Sequence, residues 1–141
     1  MIRKHYVLTL LVVTFFTIGT PLAQPGTIYA PGETPIGRFS SDGTITGSNG
    51  VFLGTLNDAG TIYAPGETPI GRFSSGGTIT GSNGNFLGTL DDSGTIYAPG
   101  NTPIGRVDRN GYVTGKGGIY VGQVPDPRIG ALMVLHVINM Q

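Results

Sequence analysis

Cysteine and tryptophan are absent from the 141 residues, and charged residues make up only 11% of them. Without cysteine the chain has no disulfide, no thiol chemistry and no thiolate metal site. Of the eight basic residues, Arg3 and Lys4 lie among the first 24 residues, so six basic residues face eight acidic ones in the rest of the chain. A nucleic-acid-binding protein usually has a basic excess, and we therefore expect no nucleic-acid partner.

Residues able to carry out catalysis are also scarce. His136 is the one histidine after residue 24, and no Ser-His-Asp set can be assembled from segments that repeat along the chain. The neighbouring carboxylates Asp91 and Asp92 fall in a predicted turn and not in a cleft. The acidic turns lack the full ligand series of a calcium loop, and capping of turns by Asp and Asn explains them. We predict that the chain is not an enzyme and has no cofactor and no metal site.

Glycine and proline, by contrast, are abundant, with 25 and 10 residues, and they recur at fixed positions. The stretch "GTIYAPGETPIGRFSS" begins at Gly26 and again at Gly60, and a variant of it begins at Gly94. Each of these 34-residue copies divides into two halves that align without a gap, so six 17-residue units fill residues 26–127. Such regularity is typical of a turn-rich folded repeat.

Each unit is predicted to be a β-hairpin. Residues 27–30 include β-branched and aromatic side chains, as in a short strand. The sequence "PGET" that follows favours a type II turn in which Gly32 has a positive φ. In the second half of each copy, the Asn-Gly pairs at 49–50 and 83–84 predict two-residue hairpin turns. Six hairpins give about twelve strands, and therefore an all-β fold.

The second strand of each hairpin carries apolar residues on both faces. If side chains alternate strictly along "PIGRF", Ile36 lies on the face opposite Phe39. In "FLGTL" the same alternation places Leu53 opposite Phe52 and Leu56. Two-sided apolar strands of this length are suited to hairpins that pack on one another.

A glycine at the centre of the second strand recurs in all six units and indicates a bulge, a bend or a close backbone approach. Short, bent hairpins favour a shallow closed β-barrel of six hairpins, which has no open edge. Two alternatives are a three-fold β-trefoil or prism built on the 34-residue period, and a β-solenoid with 17-residue rungs.

Tandem hairpin units with the pattern G-x-I-Y…IGR and an apolar tail resemble the bacterial β-flower proteins. The segments that carry the resemblance are "TIYAPGETPIGR" at 27–38 and 61–72 and "TIYAPGNTPIGR" at 95–106, and the likeness covers residues 26–127. The resemblance implies a shallow symmetric barrel and brings no established activity. The chain differs from the four- and five-fold β-flower domains in having six units, and it has "APGETP" where they have a polar turn.

The first 24 residues have the organisation of an export signal. Arg3, Lys4 and His5 precede an apolar run over residues 6–18, and "GTPLAQ" follows it. The run is short for a membrane span, which needs ~20 residues. We predict that residues 1–24 are a signal peptide or, if uncleaved, an N-terminal anchor that associates the chain with a membrane. The third interpretation is a buried core segment.

The remaining chain is predicted to consist of a hairpin repeat domain, residues 25–127, and an apolar C-terminal segment, residues 128–141. We expect this segment to pack on the barrel as a last strand or short helix that covers one mouth, with a contact surface for a membrane or partner as the alternative. His136 lies inside it and is predicted to be a core residue rather than a ligand.

Two residue types recur at 34-residue spacing and are the candidate ligand contacts. On a closed fold three arginines would form a ring that could bind a phosphate or carboxylate, or else each would pair within its hairpin, as Arg38 would with Glu33. Three tyrosines would serve as stacking platforms for sugar rings or lipid chains, or would be the half-buried aromatics of a strand. The candidates are Arg38, Arg72, Arg106, Tyr29, Tyr63 and Tyr97.

The sequence therefore predicts an exported, non-enzymatic repeat protein that is periplasmic, secreted or attached to the cell envelope. It would act as a structural or binding module, with an apolar or anionic ligand. A carbohydrate-binding, lectin-like module with three equivalent sites is the alternative. A lipid-like molecule and a glycan are the partners that these interpretations imply.

Overall fold

A computed structural model describes residues 25–140. The predictions for residues 1–24 lie outside this range. Twelve strands form one closed, antiparallel barrel in which each strand pairs with its neighbours in the chain and β1 pairs with β12. The strands are β1 Gly26–Ala30, β2 Thr34–Phe39, β3 Thr44–Gly47, β4 Phe52–Leu56, β5 Thr61–Ala64, β6 Thr68–Phe73, β7 Thr78–Gly81, β8 Phe86–Leu90, β9 Thr95–Ala98, β10 Thr102–Val107, β11 Tyr112–Gly115 and β12 Tyr120–Gln123.

The prediction of a closed all-β barrel built from repeated hairpins is confirmed. All twelve strands belong to one ring, so neither the trefoil nor the open solenoid describes the chain. A short 3-10 turn, Lys116–Gly118, joins β11 to β12, and one helix, α1 Pro127–Val134, follows the last strand. We call the mouth with the loops inside each hairpin the loop end, and the mouth with the turns between hairpins the turn end.

The loops that begin with Pro-Gly have the predicted turn type. Gly66 has a φ of +88°, and the amide of Glu67 donates to the carbonyl of Ala64 at 3.1 Å. The residue after the glycine also has a positive φ, about 60° in Glu33, Glu67 and Asn101. The sequence pattern did not predict this second positive φ. Asparagine tolerates the conformation better than glutamate does.

The Asn-Gly loops are hairpin turns of a different length from the predicted one. The amide of Gly47 donates to Val51 at 2.8 Å, and the amide of Gly50 donates to Gly47 at 3.0 Å. The loop therefore contains residues 48–50, and Gly50, with a φ of +76°, alone has the left-handed conformation. This is the three-residue loop with a terminal glycine, so the two-residue prediction was wrong.

A β-bulge beside each central glycine changes which residues face the core. The register between β1 and β2 shifts after Ile28, which leaves Ile36 without a paired residue opposite. As a result Ile36 and Phe39 both pack into the core, and the prediction that they lie on opposite faces was wrong. In the neighbouring unit Leu53 and Leu56 likewise face inward, while Phe52 remains exposed.

The interior contains three rings with one residue from each of the six units. The residues at the centre of each first strand are fully buried. A second ring near the turn end is nearly fully buried except for Leu90, which is half-buried, and a third ring at the bulges is half-buried. The rings are Ile28, Ile45, Ile62, Ile79, Ile96 and Val113; Phe39, Leu56, Phe73, Leu90, Val107 and Val124; and Ile36, Leu53, Ile70, Leu87, Ile104 and Val121.

The C-terminal segment lies in the barrel interior. Ile129 and Leu132 of α1 are fully buried and belong to the same core as the strands. Gly130 leaves room for the helix, because a Cβ there would lie 2.6 Å from Cγ2 of Val107. Further along, the Cε atom of Met140 lies where a side chain on Gly37 would be, at 2.6 Å from its Cβ position. The side chains of this segment therefore fill space that the strands leave.

A buried ion pair fixes the start of α1. Asp126 is the helix N-cap, and its Oδ1 accepts the amide of Arg128 at 2.9 Å. The guanidinium of Arg128 also binds the carboxylate through Nη2 at 2.8 Å and Nε at 3.1 Å. Both side chains are nearly buried, so the pair holds the chain at the point where it turns into the barrel.

No helix among residues 25–140 is long and apolar enough to cross a membrane.

Two glycines with the same backbone conformation provide a test of the turn end. Gly60 and Gly66 have φ values of +89° and +88°. A Cβ at Gly60 would overlap the carbonyl oxygen of Phe73, whereas a Cβ at Gly66 would meet nothing. We expect Gly66→Ala to cost about 1 kcal/mol of unfolding free energy, because alanine disfavours this φ. Gly60→Ala should cost about 3 kcal/mol or more, because backbone must also move. Chemical denaturation of both variants checks this, and equal losses would contradict the close approach.

Candidate functional site

The three candidate arginines lie on the outer wall of the barrel. Arg38, Arg72 and Arg106 are exposed and lie on β2, β6 and β10, so three strands lie between each arginine and the next. The structure therefore does not bring the three guanidinium groups together. The ion pair between Arg38 and Glu33 is not formed either, because Asp126 and Arg128 form the only ion pair within residues 25–140. In the third copy the Arg106 guanidinium contacts the hydroxyl of a threonine at 3.5 Å.

The three candidate tyrosines are half-buried on the same wall. In the second copy Tyr63 pairs with Pro69, and two residues away Thr61 pairs with Arg72. The same four residue types recur in the other two copies. We call each such group a wall patch. The three wall patches are Thr27, Tyr29, Pro35 and Arg38; Thr61, Tyr63, Pro69 and Arg72; and Thr95, Tyr97, Pro103 and Arg106.

Exposed aromatic residues lie between the wall patches, and sequence reasoning did not identify them as surface residues. Phe52, Phe86 and Tyr120 are 41%, 44% and 37% exposed. They occupy the position that proline has in the first unit of each copy, and with the tyrosines of the wall patches every hairpin contributes at least one aromatic residue to the outer wall. The β-bulge at the residue after Phe52, and likewise after Phe86, reverses the alternation of side chains between the two faces of the strand. This reversal places the aromatic ring on the outer wall.

One open depression brings residues of two copies together. It has a volume of about 1020 Å³, and its margin includes Arg106 of the third copy and Tyr29 of the first. Tyr112 and Gln123, on the two strands between them, also line it. We call this surface the wall depression. It combines two aromatic rings with a guanidinium and an amide. Turn residues on its margin add the carboxylates of Asp91, Asp92 and Asp108.

The acidic residues of the turns cap the backbone. Oδ1 of Asp91 accepts the amide of Ser93 at 3.0 Å, its hydroxyl at 2.7 Å and the amide of Thr95 at 2.9 Å. The Ser93 hydroxyl is the main cause that holds the pKa of Asp91 below its ordinary value. Hydrogen bonds from Thr44 lower the pKa of Asp42 in the same way. The predicted role of these residues as turn caps is confirmed by these contacts.

The cap at Asp91 allows a matched test, because Asn57 occupies the same position one copy earlier and its Oδ1 accepts the amide of Thr61 at 2.9 Å. We expect Asp91→Ala to lower the unfolding free energy by about 1 kcal/mol and Asp91→Asn to leave it nearly unchanged at neutral pH. Since the folded pKa of Asp91 is lowered, the contribution of its charge is present above its unfolded pKa of about 4 and is lost as the pH falls. Denaturation at several pH values should therefore favour the asparagine variant increasingly in acid. A parallel pH dependence of both proteins would contradict this.

His136 lies at the end of α1 and is exposed, so its prediction as a core residue was wrong. Its φ is +59°, and the amide of Val137 donates to the carbonyl of Leu132 at 2.9 Å. The amide of His136 itself donates to Met133 at 3.1 Å. These two bonds form a Schellman motif, in which the position of His136 is usually glycine.

A second, smaller cavity opens at the loop end. It has a volume of about 430 Å³ and lies between the barrel rim and the C-terminal segment. No group of three or more histidine, aspartate or glutamate side chains suited to a metal ion occurs within residues 25–140.

Comparisons with protein-family models, with curated proteins and with solved structures find no match to the chain.

Proposed function

We propose that the chain is an exported, non-enzymatic binding module of the cell envelope that recognises its partner with the outer wall of the barrel. The observation that supports this most strongly is the wall depression, where two tyrosines, Arg106 and Gln123 surround one open surface. The barrel interior is an unsuitable site for an apolar ligand, because the three core rings and α1 occupy it. The depression combines stacking surfaces with hydrogen-bonding groups, as a site for a polar polymer requires.

The proposal includes export and a likeness to the β-flower barrels. The signal-like segment 1–24 ends directly before β1, so its removal would leave the repeat domain intact. Six hairpins in one ring would make the chain a larger relative of the four- and five-fold domains that it resembles. Fusing residues 1–24 to a reporter enzyme that is active only outside the cytoplasm tests export. A fusion protein that is present in the cytoplasmic fraction and shows no reporter activity would contradict it.

Binding is tested by co-sedimentation of the purified protein with isolated cell-wall material. We expect the wild type to sediment with the material and the double variant Tyr29→Ala/Tyr112→Ala to remain in the supernatant. Tyr63→Ala is the matched control, because Tyr63 occupies the same repeat position as Tyr29 but does not line the depression. A wild type that stays in the supernatant with all envelope fractions would contradict a binding role and favour a purely structural one.

A carbohydrate-binding module with three equivalent sites is the second candidate. The recurrence of the wall patch in each 34-residue copy favours it, since each patch places tyrosine, threonine and arginine on one pair of strands. Three equivalent sites predict that Tyr29→Ala, Tyr63→Ala and Tyr97→Ala each remove a similar share of the avidity for an immobilised glycan. If only Tyr29→Ala weakens binding, a single site at the wall depression is the better description. If the protein binds no glycan of a broad array, both the three-site and the single-site glycan model are excluded.

A further inference from the structure

The loop-end cavity collects every soft or borderline metal ligand that the described part of the chain contains. Residues 25–140 include two methionines, Met133 and Met140, and one histidine, His136. All three line the same cavity of about 430 Å³. The rest of the lining is mostly apolar and includes Ile36 and Val121.

The three side chains come from the last turn of α1 and from the tail that follows it. Met133 lies in the last turn of α1 and His136 follows two residues after the end of the helix, whereas Met140 lies further along the tail and is buried. Its Cε atom occupies the space beside Gly37, which has no side chain. Methionine has three rotatable bonds, so both thioether sulfurs can move toward a common ion within the cavity.

The conformation of His136 is a second indication. A φ of +59° is disfavoured for histidine relative to glycine, which usually occupies this position of a Schellman motif. The side chain is exposed at the cavity and is not needed to pack the core. An imidazole at a strained backbone position beside a cavity is the kind of outlier from which a functional role can be inferred.

We propose that Met133, His136 and Met140 form a binding site for a soft monovalent cation, Cu(I). Thioether sulfur selects soft ions such as Cu(I), and imidazole nitrogen also suits copper, whereas two thioethers are poor ligands for the hard ions Mg²⁺ and Ca²⁺. The apolar lining would shield the ion from water, and the exposed imidazole would lie on the side from which the ion enters. The site is independent of the wall depression, which is at the turn end.

The test is a competition titration of the full chain with Cu(I) and a chromogenic Cu(I) chelator under anaerobic, reducing conditions. We expect the wild type to withdraw one equivalent of Cu(I) from the chelator. The double variant Met133→Leu/Met140→Leu, which conserves volume, should bind at least about 100-fold more weakly. Ile138→Val is the matched control, since Ile138 lines the same cavity but has no donor atom, and its Cu(I) affinity should equal that of the wild type.

His136→Gly separates metal binding from folding. Glycine fits the positive φ, so this variant should have a higher melting temperature than the wild type while its Cu(I) affinity falls by about 10-fold or more. Titration with Ag(I), a redox-inert substitute, should shift the methyl NMR signals of Met133 and Met140 in the wild type. Failure of the wild type to withdraw Cu(I) would overturn the proposal. Retention of one equivalent by the leucine double variant would also overturn it, because binding would then lie elsewhere, for example at Met1 and His5.

Discussion

Replacing Leu132 by aspartate is expected to abolish the cooperative folding of the domain. Leu132 is fully buried in α1, at the centre of the core that the three rings of the barrel form. Even Leu→Ala at such a site costs about 2–5 kcal/mol, and an unpaired carboxylate adds a large desolvation cost. The total is comparable with the roughly 5–15 kcal/mol by which domains are stable.

The measurement is thermal and urea unfolding followed by circular dichroism. Val51→Asp is the matched control, because Val51 is 58% exposed and the same chemical change there should alter the unfolding free energy by only about 0.5 kcal/mol. Leu132→Ala provides an intermediate loss if the aspartate variant cannot be purified. A Leu132→Asp protein that unfolds like the wild type would show that α1 does not fill the barrel.

Deleting one complete copy, residues 60–93, is expected to destroy the monomeric barrel. The deletion removes β5 to β8 and leaves eight strands. An eight-stranded barrel has an interior only wide enough for its own side chains, whereas α1 needs a space about 10 Å across. The shortened chain should therefore be unfolded or should associate so that hairpins from several chains complete a wider ring.

Size-exclusion chromatography with light scattering, together with circular dichroism, distinguishes the outcomes. The control converts the first copy into the second through Asp42→Gly, Val51→Asn, Asn57→Asp and Ala59→Ser, which keeps the number of strands. This variant should remain a folded monomer. A deletion variant that is a folded monomer of undiminished stability would instead indicate an array of independent spacers.

The hairpins and their closure could be predicted because turn residues recur at fixed intervals. Pro-Gly and Asn-Gly sequences locate five of the six loops, and six similar hairpins without a distinct edge strand favour a ring. The exact loop length at Gly50 was not predicted, since the Asn-Gly pair is compatible with two hairpin geometries that differ by one residue.

The surface could not be predicted as well, because one bulge per hairpin reverses the side-chain alternation. Strict alternation places Phe52 and Leu56 on the same face of the strand. The unpaired residue of the bulge, Leu53, instead faces the interior together with Leu56, and Phe52 lies on the outer wall. The wall depression depends on the distance between strands of different copies around the ring, which repeat spacing does not reveal. The same limit applies to Arg38 and its equivalents, whose even spacing in sequence became even separation around the barrel.

The role of the C-terminal segment also required the structure. Its apolar composition is compatible with a strand, a helix or a contact surface, and only the size of the ring decides that a helix fits inside. His136 was the least predictable residue, because an αL position at a helix end is determined by the path of the chain after the helix.

The closure of the ring between β1 and β12 is the central claim, and an engineered disulfide tests it most directly. Tyr29 and Gln123 are paired residues of these two strands, and the chain has no other cysteine to interfere. Paired positions of an antiparallel sheet lie close enough for a disulfide, with Cα atoms about 4.5–5.5 Å apart. We expect Tyr29→Cys/Gln123→Cys to form an intramolecular disulfide in the folded monomer, and Tyr29→Cys/Thr80→Cys, with β1 and β7 on opposite sides of the ring, to keep free thiols. Free thiols or only intermolecular disulfides in the first variant would contradict a barrel that closes within one chain.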